Sequence, residues 1–137
     1  MDIFNQSAVI PYIEQNGKLQ ILLITSLKKK KWIIPKGIIE DNMTAMDSAK
    51  KEALEEAGVT GSVSLESYGE YQQKKWGGIC HINVFALRVE KELKKWDEYK
   101  QRKRKWFPAE KAVEQIFNPD LQKIIVNFIS TGKQRSG

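Results

Sequence analysis

Glu52, Glu55 and Glu56 crowd into the run EALEEAG. On a helix turning about 100° per residue they fall within an arc of about 100°. Glu52 and Glu56 are one turn apart, so their like charges repel by a few tenths of a kcal/mol. Lys51 can reach Glu55 one turn on, but it points away from the centre of the acidic arc. Two readings stand side by side. One is the solvated face of a glutamate-rich helix. In the other, the carboxylates share a divalent cation. Hard oxygen ligands suit Mg²⁺ or Mn²⁺, and Mg²⁺ is commonly held by few carboxylates together with substrate phosphates. Gly37, ahead of the helix, lets backbone approach the same place. The acidic cluster runs against the bulk charge, since 23 Lys and Arg against 17 Asp and Glu leave a net charge of +6. That excess points to an anionic partner: nucleic acid, a phosphorylated small molecule or an anionic surface.

The elements that must position these residues follow from pattern and punctuation. Met46, Ala49, Ala53, Leu54 and Ala57 occupy an arc beside the glutamates and can dock the helix on a sheet. Thr44 caps the helix, Asp47 favours its positive N-terminus, and Gly58 ends it in a left-handed conformation. Residues 8–12 and 19–25 read as strands joined at Gln15-Asn16-Gly17, a strong hairpin signal. Residues 32–34 make a short strand stopped by Pro35, and 37–43 a loop. Strands follow at 62–73 and 79–89, joined by a turn at 74–78, with a short one at 105–107. Helices are expected over 108–117 and 121–129, broken at Asn118-Pro119-Asp120, and a frayed tail over 131–137. The result is a mixed sheet with helices on it, of α/β or α+β class. The 137 residues, 41% hydrophobic and 29% charged, suit one globular domain, 1–137. The longest apolar runs are a few residues, against the roughly 20 of a membrane helix, and no signal peptide is evident. The cytoplasm is the expected location. Cys80 stands alone in an apolar run and reads as a small core residue.

The segment 36–58 resembles the Nudix box. Its pattern is Gly, five residues, Glu, seven residues, Arg-Glu, an aliphatic, any residue, Glu-Glu, any residue, Gly and an aliphatic. The chain supplies Gly37, Glu52, Glu55, Glu56, Gly58 and Val59 at that spacing, with Ala53 at the first aliphatic position. It departs twice: Met43 stands where the first Glu belongs, and Lys51 replaces Arg. In the family that pair helps hold the loop against the helix, and Glu40 or Asp41 is placed to substitute for the missing acid. WIIPKG before the box, EEAGVTG leaving it and WDEYKQRKRKWFPAEKAV downstream resemble the diphosphoinositol polyphosphate phosphohydrolase branch and its bacterial relatives. The resemblance implies an α/β/α sandwich around a mixed sheet and cleavage of a phosphoanhydride. Carried over from the box, Glu52 and Glu56 ligate Mg²⁺, or Mn²⁺, with the Gly37 carbonyl joining them. Glu55 is the general base, although in different members that role moves among these glutamates, Glu52 included.

The basic segments then gain a use. Lys36 adjoins Gly37 and can contact phosphate. Lys74 and Lys75 match a basic pair of the phosphohydrolase branch. Arg102 and Arg104 share one side of an extended stretch, which permits a forked phosphate grip. Each also reads as a plain surface cation. Glu70 could add a ligand; Trp76 either stacks on a base or lies on the surface; Trp96 and Trp106 pack in the core or a lid. His81 reads as a structural strand residue. The leading expectation is a Mg²⁺-dependent pyrophosphohydrolase acting on a dinucleoside polyphosphate, a nucleoside diphosphate derivative or a diphosphoinositol polyphosphate. The alternative is a non-catalytic module of the same fold that binds RNA or a nucleotide, against which the intact acidic cluster argues.

Overall fold

The computed structural model describes residues 1–135, with side chains through Thr131. Its centre is a pair of long strands, β1 (Ile3–Gln15) and β7 (Gly78–Glu92), which run parallel from Ile3↔Ile79 to Tyr12↔Arg88. Ala8, Val9 and Ile10 are all fully buried, although successive side chains on a strand point to opposite faces. Both faces of the sheet are therefore covered, as a continuous apolar run predicts. β2 (Lys18–Thr25) returns antiparallel to β1 through Asn16-Gly17, both at positive φ, as the hairpin signal required.

β3 (Trp32–Ile33) and β8 (Arg104–Pro108) pair with β2; β4 (Lys36–Ile38) pairs with β1; β5 (Val59–Val63) and β6 (Gly69–Lys75) pair with β7. All of these pairings are antiparallel, so the sheet is mixed. On one face, α1 (Ala45–Glu52) and the π-helical turn Ala53–Ala57 pack Ala49, Ala53 and Ala57 onto Val9, Leu22, Ile24 and Leu87. On the other, α2 (Ala109–Gln115) and α3 (Pro119–Arg135) bring Ala112, Ile124, Ile125 and Phe128 onto Ile10, Ile21 and Val84. The expected α/β/α sandwich around a mixed sheet is the observed architecture. No helix among the described residues is long and apolar enough to cross a membrane.

Several boundaries differ from the sequence reading. The expected strand 62–73 is two, because residues 64–68 bend between β5 and β6. The segment read as a loop from Gly37 begins as β4, held in register by Ser7↔Gly37. Lys74 and Lys75 close β6 rather than forming the turn, which shrinks to Trp76-Gly77. The expected tail from Thr131 is helical as far as Arg135, and residues 136–137 lie outside the described residues. The helix of the acidic cluster is α-helical only to Glu52. Its last turn widens to π geometry, so Leu54 is 40% exposed instead of docking. Thr44 caps as expected, accepting from the Asp47 N–H at 3.0 Å, and Gly58 ends the turn at φ +68°.

Candidate active site

β4 carries Gly37 beneath the last turn of α1, where Glu52 projects. A Cβ at Gly37 would overlap the Glu52 carboxyl group. The glycine is required by close approach of side chain to backbone, not by an unusual φ. One residue earlier, the Lys36 N–H donates to Glu56 Oε1 at 3.2 Å. Gly37, Glu52 and Glu56 thus meet at one place, and both carboxyl groups are nearly buried, each residue 7% exposed.

Burial of two neighbouring carboxylates has an electrostatic consequence. The Glu56 pKa is pushed up to about 8. Loss of hydration is the main cause, a hydrogen bond with Glu52 comes next, and the charge of Glu52 adds to both; Arg102 and the Lys36 N–H pull the other way. Without a cation, burial and the neighbouring carboxyl favour the protonated form of Glu56. A divalent cation supplies the charge that the proton supplies, and the donors are the hard oxygens such an ion takes. The residues present fit a divalent cation.

Glu55 diverges from its neighbour. It is half-exposed and accepts from Lys51 Nζ at 3.3 Å. Lys51 also lies 3.3 Å from Glu40 and 3.7 Å from Glu52. Glu40 thus takes the place of the acid missing at Met43, tying the loop to α1 through Lys51. Loss of hydration is the largest single influence on Lys51 and lowers its pKa, but the hydrogen bonds to Glu55 and Glu40 and the charges of Glu52 and Glu55 together outweigh it and raise the pKa to about 12. Asp97 and Glu98 stand near Glu55, with one carboxylate oxygen of each of the three residues within 4.8 Å of the others. Sequence reading missed both, since WDEYKQ carries no periodicity and neither residue belongs to the box.

The expected phosphate-binding cations separate into two kinds. Lys36 is partly buried and donates from Nζ to Gln73 Oε1 at 2.7 Å; burial, with the nearby charge of Lys75, lowers its pKa. Lys74 and Lys75 are exposed, Lys75 with its Nζ 4.6 Å from the Trp76 ring. Trp76 itself is half-exposed and meets Phe4 edge to face. Arg102 and Arg104 form no fork. The Arg102 side chain is 7% exposed: Nε donates to Glu98 at 2.8 Å, Nη1 to the Thr25 carbonyl at 2.9 Å, and Nη2 lies 3.7 Å from Glu56. Arg104 donates to the carbonyls of Ala57, Gly58 and Leu93 and pairs with Glu92. Glu70 pairs with His81 at 3.1 Å.

The model of the NUDIX domain family matches residues 4–128. The chain is 33% identical over 127 residues to Nudix hydrolase 13, mitochondrial, of Arabidopsis thaliana, covering 85% of this chain and 63% of the relative. It is 31% identical over 99 residues to diphosphoinositol polyphosphate phosphohydrolase 3-beta of Bos taurus, covering 69% and 58%. The chain therefore spans about three fifths of the length of these relatives. In three dimensions it resembles a C. elegans Ap4A hydrolase with a TM-score of 0.74, at 16% identity and covering 95% of this chain and 98% of that one. At that identity the likeness concerns the fold.

Proposed function

The chain belongs to the Nudix family, and from that premise we propose that it is a Mg²⁺-dependent pyrophosphohydrolase. The observation that carries this reading is the pair of buried carboxyl groups, Glu52 against Gly37 and Glu56 against the Lys36 N–H, on the strand beneath the helix. Glu52, Glu56 and the Gly37 carbonyl would hold the ion. When bound, it neutralises phosphate oxygens and lowers the pKa of a coordinated water. Glu55, outside the pair and in reach of solvent, accepts the proton of the attacking water; Glu52 is the second candidate for that role. The water oxygen bonds to phosphorus, and the phosphoanhydride P–O bond breaks toward the leaving phosphate.

Substrate is an anhydride flanked by several negative charges: a dinucleoside polyphosphate, a nucleoside diphosphate derivative or a diphosphoinositol polyphosphate. Lys36, whose backbone N–H meets Glu56, and Lys75, whose charge bears on Lys36, support this reading as neighbouring cations. Arg102 and Arg104, whose donors are engaged within the protein, are better read as supports of the site than as phosphate ligands. One domain, 1–137, acts in the cytoplasm, where Cys80 remains a buried free thiol. The test is phosphate and nucleotide release from a panel of these substrates, with Mg²⁺ and with chelator. Turnover of one class only with the metal supports the reading. Binding of nucleotide or RNA with no turnover of any member would replace it with the non-catalytic module.

A further inference from the structure

The carbonyls that the glutamate-bearing turn leaves open at its end are taken by one connecting segment and by the first residue of the strand that follows it. Residues 93–103 connect β7 to β8. Glu98 donates its N–H to the Glu55 carbonyl at 3.1 Å, and Trp96 Nε1 donates to the Glu56 carbonyl at 2.9 Å. Arg104, at the start of β8, donates to the Ala57 carbonyl at 2.9 Å, and the Leu93 N–H to that of Gly58 at 2.8 Å. A helix end ordinarily leaves such carbonyls to water or a local cap. Here Trp96 and Arg104 also stack, guanidinium carbon to ring centre 4.0 Å, and a Cβ at Gly58 would overlap both.

The same segment reaches the other end of Glu56. Trp96 holds its carbonyl, while Arg102, anchored by Glu98 and the Thr25 carbonyl, lies beside its carboxyl group. The turn between is π-helical, a rare geometry found mostly as single turns within α-helices and often at functional sites. We propose that Trp96 is a positioning residue. Its indole N–H fixes the Glu56 peptide, holds the wide turn, and so places the Glu56 carboxylate over Gly37, with Arg104 and Arg102 completing the clamp. The catalytic consequence rests on the metal-hydrolase reading above; the structural consequence does not.

Trp96→Phe tests this, because it keeps a ring under Arg104 and removes the N–H. Partners that orient a metal ligand are worth about 10–100-fold in affinity or activity. Expected, then, are Mn²⁺ binding weakened at least about tenfold, read by electron paramagnetic resonance without substrate, and a kcat lowered similarly with KM within about twofold. Amide exchange over residues 55–59 should also quicken at temperatures far below unfolding. A residue that only adds global stability would lower the melting temperature and leave these readouts unchanged there. Should Trp96→Phe fail to fold by circular dichroism, Arg104→Lys, which keeps the charge and loses the forked donation, takes the same measurements. Wild-type Mn²⁺ affinity together with wild-type exchange in the folded variant overturns the proposal. If the unmodified protein neither binds Mn²⁺ nor hydrolyses any substrate, the hydrolase reading falls, and amide exchange alone decides the clamp.

Discussion

Glu56 is the residue at which burial, charge and chemistry meet. Its pKa is raised from 4.5 to about 8. A carboxyl that binds its proton more tightly folded than unfolded contributes stability that is full below about pH 4.5 and lost as pH rises through about 8. The metal-free protein should therefore lose on the order of a few kcal/mol between those limits from this group. Glu56→Gln imitates the protonated form and keeps an oxygen for the Lys36 N–H. Calorimetric melting in chelator, from pH 5 to pH 8, should fall more steeply for wild type than for Glu56→Gln, with the variant at least as stable at pH 7. Parallel curves would remove the buried proton. Mg²⁺ competes with that proton, so its affinity should climb toward pH 8. Turnover of the variant should drop by more than the roughly 100-fold that loss of an orienting partner can cost. Helical spacing put the three glutamates on one arc, and the resemblance to the Nudix box singled them out as site candidates. Spacing did not separate inward Glu56 from half-exposed Glu55, because a uniform 100° per residue omits the π-turn. Nor did it show where Arg102 and Arg104 spend their donors, since their partners are carbonyls and acids of other elements.

The loop from β4 to α1 is tied down by a relocated ion pair. Met43, partly buried, occupies the position of the box acid, but Lys51 finds Glu40 at 3.3 Å and Glu55 at 3.2 Å. Glu40→Gln should destabilise by under about 1 kcal/mol, as expected of a pair with an exposed partner. It should lower turnover by more than that figure implies, because Lys51 also holds the half-exposed Glu55. Met43→Glu alone should leave stability within about 1 kcal/mol, since Lys51 is already engaged. Placed on Glu40→Gln, the same change should restore part of what was lost. A double-mutant cycle by denaturation and by kcat measures this, and additive effects would mean that the two acids do not share Lys51. At this scale the sequence was legible wherever the signal is local. The Asn-Gly turn, the Thr44 cap and Gly58 are examples. It was not legible at β4, which becomes a strand only because β1 pairs with it, nor at the break between β5 and β6, where two strands meet one long partner.

Over the whole molecule, apolar strands and amphipathic helices were enough to read a mixed sheet with helices on it, whereas the two covered faces of a sandwich followed only from the resemblance to the Nudix family. The strand order was not readable, because it hangs on the parallel pairing of β1 with β7, far apart in sequence. The same pleat now distinguishes two lysines that sequence treated as a pair. Lys74 and Lys75 are consecutive on β6, so they point to opposite faces. Lys75 lies on the side of Gln73 and Lys36, and its charge contributes to lowering the Lys36 pKa. Lys75→Glu should therefore raise KM for a dinucleoside polyphosphate strongly, with little change in kcat, since contacts equal in ground and transition state leave kcat alone. A nucleotide sugar, with fewer phosphates to reach β6, should lose less. Lys74→Glu should act only through the general field of a chain with net charge +6. That loss should shrink as salt is raised past about 0.15 M, where screening shortens to about 8 Å. The measurement is kcat and KM for both substrates, at low and high salt, in wild type and each single variant. Equal losses from the two lysines, vanishing together with salt, would leave β6 as a source of steering alone and put the phosphate contacts elsewhere.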